Sequence, residues 1–205
     1  MELYYSPFAC SLASHITLRE AGLDVGLVPV TLSTKKTADG RDYFAVNRKG
    51  QVPALKLDDG AVLTENTAVI QYLADLKPAA GLLPPVGSPD RYRVLEWLSF
   101  VSTEIHKACF GVMFNPATPP EAKAFARQTL PTKLEYAAAE IGDREFLVGG
   151  RFTVADAYFT WALNLATIAK FDLPPALQRY LDRMKTRPAV RTALEVEGAA
   201  AAQAG

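Results

Sequence analysis

Cys10 follows a short apolar run, Leu3-Tyr4-Tyr5, and a Ser6-Pro7 turn. After it Ser11, Leu12, Ile16 and the stretch from Leu18 to Ala21 read as a helix that stops at Gly22. A thiol at a helix N-terminus faces unpaired N–H groups and the positive end of the helix dipole, and both favour thiolate over thiol. A cysteine so placed acts as a nucleophile or holds a second thiol. An isolated cysteine is also often a small buried hydrophobe, and position leaves both readings open. Ala13 stands where a C-x-x-C pair would have its resolving cysteine, so no dithiol cycle runs through Cys10. Cys109 falls on a long helical stretch among apolar residues and reads as core.

Two further segments carry candidate chemistry. In Gln51-Val52-Pro53 the proline opens a strand, where it cannot donate to a ladder. A cis Val52–Pro53 bond would turn the backbone polar groups of Val52 outward, able to pair with an extended peptide; a trans bond at a strand start is the ordinary alternative. Thr64-Glu65-Asn66 leads into the next helix. Helix-start N–H groups with the Asn66 side chain can take a carboxylate and Glu65 an ammonium, which together suit an amino-acid head group. Plain capping by Asn66 with an exposed Glu65 explains the same residues. Lys35, in a polar loop, can meet a second carboxylate or face solvent.

The elements that must position these residues divide the chain in two. Within the first eighty residues, a second apolar run, Leu27 to Leu32, carries Pro29 and is expected at a sheet edge. The polar stretch Ser33 to Asp42 reads as loop. Val52 to Leu57, Asp58-Asp59-Gly60 and Ala61 to Thr64 form a hairpin pattern, followed by Val69, Ile70, Leu73 and Leu76 at helical spacing. This order predicts a small mixed-sheet α/β domain. Residues 77–87, rich in Pro and Gly, read as a linker. Beyond it everything is helical. Val94, Leu98, Val101, Ile105, Ala108 and Val112 form one apolar stripe, Pro119-Pro120 opens a helix expected to kink at Pro131, and Thr153-Val154-Ala155-Asp156 resembles a capping box with a structural role. The Ala-rich end from Gly198 is expected to fray.

Composition removes several classes of function. Among 205 residues, 22 Lys and Arg balance 22 Asp and Glu without a long basic run, which gives no electrostatic support for nucleic acid or a membrane surface. Two cysteines make no disulfide framework, no apolar run approaches a membrane span, and acidic Glu2 with Pro7 argues against a signal peptide. A cytoplasmic protein is expected.

Taken together, Leu3-Tyr4-Tyr5, Cys10-Ser11-Leu12, His15-Ile16, Gln51-Val52-Pro53-Ala54-Leu55 and Thr64-Glu65-Asn66 closely resemble the N-terminal half of the bacterial beta-class glutathione transferases. Phe152 to Asp156 resembles the superfamily's C-terminal capping motif. The resemblance implies an α/β thioredoxin-like domain with a mixed four-stranded sheet over residues 1–80, then an all-α helical domain over 88–201. It implies a cis Val52–Pro53 bond. Glutathione, as co-substrate, would have its cysteinyl backbone held at Gln51, Val52 and Pro53. Glu65 and Asn66 would take the γ-glutamyl head, Lys35 the glycine end, and Cys10 would lie against the sulfur. Tyr5 and Ser11 would be supporting residues.

On the long helix the resemblance points to Ser99, Thr103, His106 and Lys107, near the thiol and across a dimer interface, where His106 would donate a hydrogen bond to the sulfur or assist proton transfer. Ser99, Thr103 and His106 are spaced four and three apart and are expected on one helix face. Beta enzymes commonly carry asparagine where this chain has Ser99, and serine where it has Thr103. The implied activity is conjugation of glutathione to a small hydrophobic electrophile by a homodimer, with no metal or other cofactor. Phe8, Phe110, Met113, Phe114 and Trp161 are candidates for the electrophile's pocket or for core. Thiol-disulfide exchange through a Cys10 mixed disulfide and a transferase-fold binding protein with little turnover are the alternatives.

Overall fold

The computed structural model describes residues 1–204, which fall into two compact units. The first comprises Met1–Leu83 with the segment from Lys185 onward, and the second Pro84–Met184. The final helix is thus grouped with the N-terminal residues rather than with the helices that precede it.

In the first unit, β1 (Glu2–Tyr5), α1 (Ser11–Glu20) and β2 (Gly26–Thr31) form a parallel βαβ crossover. A short β3 (Lys36–Thr37) returns along β2, and the antiparallel hairpin of β4 (Ala54–Lys56) and β5 (Val62–Thr64) adds to the other side of β1, giving the order β3-β2-β1-β4-β5. The sheet therefore has five strands rather than the expected four. The fifth lies in the polar stretch read as loop; two residues with no apolar alternation leave no sequence pattern, and backbone bonds from Thr37 to Arg41 and from Ala38 to Pro29 set it. Nor is β2 a free edge, because β3 pairs with Val30 and Thr31, past Pro29.

Strand alternation sends Leu3 and Leu55 to one face, where they meet Leu18 of α1 and Val69 and Leu73 of α2 (Asn66–Asp75). Tyr4 and Ala54 go to the other, with Val30, Tyr43 and Val52. Helix α8 (Pro188–Ala204) packs along α1, and Arg187 just before it makes two bonds to the Glu20 carboxylate, at 2.6 and 2.9 Å. The end from Gly198, expected to fray, is helical through Ala204, and Gly205 lies outside the described residues.

The second unit is helical. Ser88 caps α3 (Pro89–Phe100), its hydroxyl accepting from the Arg91 N–H at 3.2 Å. The chain then continues through π-helical turns from Val101 to Gly111 into a single turn, α4 (Val112–Phe114). A Cβ at Gly111 would lie 3.3 Å from the His106 carbonyl oxygen, so glycine suits this closely approached turn. The wider turns move the apolar stripe by one residue. Val94, Leu98, Val101 and Ile105 are buried as expected, but the next buried residue is Cys109, and Ala108 is exposed.

Helices α5 (Pro120–Ile141), α6 (Val154–Ile168) and α7 (Pro175–Thr186) follow. The capping box at the start of α6 is present, and its Asp156 is wholly buried. That carboxylate accepts from the N–H groups of Leu147 (2.9 Å) and Thr153 (2.8 Å) and from the hydroxyls of Thr153 (2.8 Å) and Tyr180 (2.7 Å). Burial pushes its pKa up, and the four donors oppose that shift. Among the described residues no helix is long and apolar enough to cross a membrane.

Candidate functional site

In the first unit the expected site residues lie on three connected segments. The loop from Ser6 to Cys10 is closed by backbone bonds from Ala9 to Ser6 (3.0 Å) and from Leu12 to Ala9 (2.9 Å). Ser11 closes it further, its hydroxyl accepting from the Ser6 N–H at 3.2 Å and donating to the Ser6 carbonyl at 3.3 Å. Cys10 occupies the position just before α1 and is partly exposed; neither it nor Cys109 is in a disulfide. The Cys10 thiol donates to the Val52 carbonyl at 3.1 Å. That bond joins the first segment to the second.

Phe8 has a φ of +58°, a left-handed conformation uncommon for a residue with a Cβ. Its N–H donates to Glu197 Oε2 at 2.7 Å, and Glu197 Oε1 lies 3.0 Å from His15 Nδ1. Arg19 Nε, which can only donate, bonds His15 Nε2 at 3.3 Å, so Nε2 accepts and Nδ1 carries the proton given to Glu197. Both side chains of the pair are fully buried. Burial raises the Glu197 pKa, partly offset by His15 and the Phe8 N–H. Tyr5 is 2% exposed, with its ring 5.9 Å from that of His15; burial and then the Glu197 charge raise its phenol. Tyr5 is thus a core residue beside this network.

The second segment is Gln51-Val52-Pro53. The Val52–Pro53 bond is cis, as the resemblance implied. Two donors converge on the Gln51 carbonyl, the Tyr43 hydroxyl at 2.8 Å and the Asn47 side-chain amide at 2.7 Å. Burial pushes the Tyr43 phenol up to about 12. Lys35, at φ +55°, donates from Nζ to the Gly50 carbonyl at 2.8 Å. Neither Tyr43 nor Asn47 stands out in the sequence, because each acts through a loop contact that no periodicity marks.

The third segment is Glu65-Asn66. Glu65 precedes α2 with φ +70°, and its carboxylate is 63% exposed. Lys49 Nζ pairs with it at 2.5 Å and also reaches the Thr64 hydroxyl at 2.8 Å. Lys49 is a further residue that the sequence does not single out. Asn66 is 7% exposed. Its Oδ1 accepts from the buried Ser14 hydroxyl at 2.8 Å, while its Nδ2 has no partner among the described residues. The N–H groups of Ala68 and Val69 turn back to the Glu65 carbonyl, and those of Asn66 and Thr67 face out of the helix end. A buried amide N–H and the first-turn N–H groups of α2 thus follow directly after the Glu65 carboxylate, donor and acceptor types suited to an anion next to a cation.

The second unit holds the remaining candidates. Ser99, Thr103 and Lys107 are exposed, and the Thr103 hydroxyl bonds its own helix at the Ser99 carbonyl, 3.0 Å. His106 does not share their exposure. It is half-buried, its Nδ1 2.7 Å from the Tyr158 hydroxyl and its ring edge-on to Trp161 at 4.6 Å. The π-helical turns from Val101 to Gly111 alter the spacing on which the expected single face rests. Of the candidates for an electrophile pocket, Phe110 and Trp161 are core residues and Phe114 is 54% exposed. Among the described residues no group of three or more His, Cys, Asp or Glu side chains is arranged to hold a metal ion.

Comparison with known proteins agrees with this description. Residues 5–76 match the model of the glutathione S-transferase N-terminal domain, and residues 101–188 that of the C-terminal domain. Glutathione S-transferase GstA of Escherichia coli O157:H7 is 50% identical over 97% of this chain and 99% of its own. A sphingomonad glutathione S-transferase solved in complex with glutathione is 46% identical with a TM-score of 0.91, covering 97% of this chain and 99% of that one. The bacterial beta-class enzyme of Sphingomonas chungbukensis is 43% identical with a TM-score of 0.92, over 97% and 99% of the two chains.

Proposed function

The chain belongs to the glutathione S-transferase family, and from that premise we propose that it conjugates the glutathione thiolate to small hydrophobic electrophiles. The observation that carries this reading is the 3.1 Å bond between the Cys10 thiol and the Val52 carbonyl. A peptide pairing with the backbone of Val52 presents its own side chain at Cys10, and in glutathione that side chain is the thiol. Residues 1–80 form the glutathione-binding domain in this reading and residues 88–201 the helical domain. The γ-glutamyl carboxylate goes to Asn66 and the first turn of α2, its ammonium to Glu65, the cysteinyl backbone to Gln51, Val52 and Pro53, and the glycine carboxylate to Lys35.

Tyr5 and Ser11 support the Cys10 loop from within the core. His106, held by Tyr158, is assigned to proton transfer, and Ser99, Thr103 and Lys107 to polar contacts with glutathione or a second copy in a cytoplasmic homodimer. Catalysis then consists of holding the glutathione sulfur as thiolate and close to the electrophile. The carbon–sulfur bond forms as the leaving group departs with its electron pair. A free thiol of pKa about 8.5 is only about 1% ionised at pH 6.5, and lowering that pKa by about two units, roughly 2.7 kcal/mol, makes half of it nucleophilic. No metal or further cofactor is part of this chemistry.

A second reading is favoured by the partial exposure of Cys10, which suits attack on oxidised glutathione. The Cys10 thiolate would form a mixed disulfide and release one glutathione thiolate, balancing the two electrons of the exchange. Purified protein is to be tested for retention on immobilised glutathione and for turnover of a halogenated nitrobenzene, alongside Cys10→Ala and intact mass before and after reductant. Conjugation retained in Cys10→Ala, with a reductant-labile glutathione adduct on the parent, supports both activities. Conjugation lost without any adduct makes Cys10 an activator and removes the exchange reading. Absence of both retention and turnover overturns the transferase proposal in favour of a binding protein.

A further inference from the structure

We infer that Ser14 is a positioning residue that aims the Asn66 amide at the γ-glutamyl carboxylate; this rests on the glutathione reading of the Glu65-Asn66 segment. Ser14 lies on α1 one turn after Cys10 and is fully buried, so its hydroxyl needs a partner inside the protein. Its hydroxyl proton goes to Asn66 Oδ1 at 2.8 Å. A primary amide has two ends, an acceptor oxygen and a donor nitrogen, and a half-turn about its last bond exchanges them. By donating to Oδ1, Ser14 fixes which end is which. Nδ2 is left at the end of the amide away from Ser14, buried and without a partner among the described residues, although a buried N–H₂ lacking an acceptor is costly.

A carboxylate resolves that cost. It accepts from Nδ2 and from the outward N–H groups of Asn66 and Thr67 at the first turn of a ten-residue helix, where the dipole also favours negative charge. Without the Ser14 donor, Asn66 is free to turn its oxygen toward the carboxylate, and an attractive contact becomes a repulsive one. Ser14 therefore acts on the part of the ligand that binds Asn66 and on no other part.

The test measures Kd by calorimetry for two ligands: glutathione, and γ-aminobutyryl-cysteinylglycine, which lacks only the γ-glutamyl carboxylate. Ser14→Ala is expected to weaken glutathione about fivefold or more and to leave the analogue's affinity unchanged. In an Asn66→Ala background the same substitution should have no further effect on glutathione. Equal loss for both ligands, no loss for glutathione, or full additivity with Asn66→Ala overturns the inference. If Asn66→Ala itself leaves glutathione binding unchanged, the assignment of the head group to Asn66 has failed, and with it the premise rather than Ser14 alone. Should Ser14→Ala yield no soluble protein, Ser14→Cys, of similar size but with a weak donor, serves for the same measurements.

Discussion

Each unit is organised around one buried carboxylate, and the two are built in opposite ways. Asp156 draws its donors largely from nearby residues: Thr153 three positions back, Leu147 nine back, with Tyr180 of the following helix completing the set. Glu197 draws its donors from the far end of the chain, His15 and the backbone of Phe8. The first arrangement starts a helix. The second holds a left-handed residue in place two positions before Cys10. Burial raises the pKa of both groups, so the folded state holds their protons more tightly than the unfolded chain. What each contributes to stability is greatest below the unfolded carboxyl value of about 4 and declines as pH rises through the raised folded value. Neither carboxylate drives acid unfolding.

The largest expected effect is on stability. Asp156→Ala strands four buried donors and should cost about 3–5 kcal/mol in denaturant unfolding. Glu197→Ala strands fewer and should cost roughly 2–4 kcal/mol. Hydrogen exchange separates the two. Asp156→Ala should speed exchange at the start of α6, whereas Glu197→Ala should speed it at Phe8 and Leu12. Equal changes in both regions for both variants would mean that the carboxylates are not separate anchors.

Next is an alkaline effect, in which Tyr43 takes part beside the raised phenols of Tyr4 and Tyr5 in the first unit and Tyr180 in the second. The buried Tyr43 phenol, raised to about 12, stays protonated in the folded state where an unfolded tyrosine ionises near 10. Its contribution is complete below pH 10 and is lost between pH 10 and 12, amounting to about 2.7 kcal/mol. Tyr43→Phe should remove this share of the slope and leave the part due to Tyr4, Tyr5 and Tyr180, and an unchanged slope would assign all of it to those tyrosines.

The smallest effects concern the head-group site. Because the Glu65 carboxylate is 63% exposed, Glu65→Ala should weaken glutathione only about tenfold, less than a fully desolvated pair would lose. Lys49→Met should tighten glutathione by no more than about fivefold, since Lys49 already pairs with the carboxylate that the ligand's ammonium needs. Weaker binding in Lys49→Met would instead make Lys49 a ligand for the glutamyl carboxylate.

The same contrast between local and distant partners decides how much of the molecule is legible in its sequence. The capping box, the Asp58-Asp59-Gly60 hairpin turn and the α1 start at Cys10 are written in neighbouring residues, and each forms where expected. β3 is not legible because two polar residues have no period, and the stripe on the long helix slips at Ala108 because π-helical turns leave no mark in apolar spacing. Glu197, Ser14, Tyr43 and Asn47 are hidden for a further reason. Their partners are chosen by tertiary folding, and a serine inside a helix or a glutamate in an alanine-rich tail has no local signature of its role. For His15, which the family resemblance includes, the sequence names the residue but not the carboxylate that holds it.

In the proposed reading one tripeptide lies along the first unit, from Lys35 past Val52 to Glu65 and Asn66, with its sulfur at Cys10. A crystal structure of the protein grown with reduced glutathione tests it. The expected result is backbone bonds between the cysteinyl residue and Val52, the γ-glutamyl carboxylate on Asn66 Nδ2 and the first turn of α2, and the sulfur within contact of Cys10 Sγ. Glutathione bound with its head group away from Asn66, or with its sulfur remote from Cys10, would contradict it.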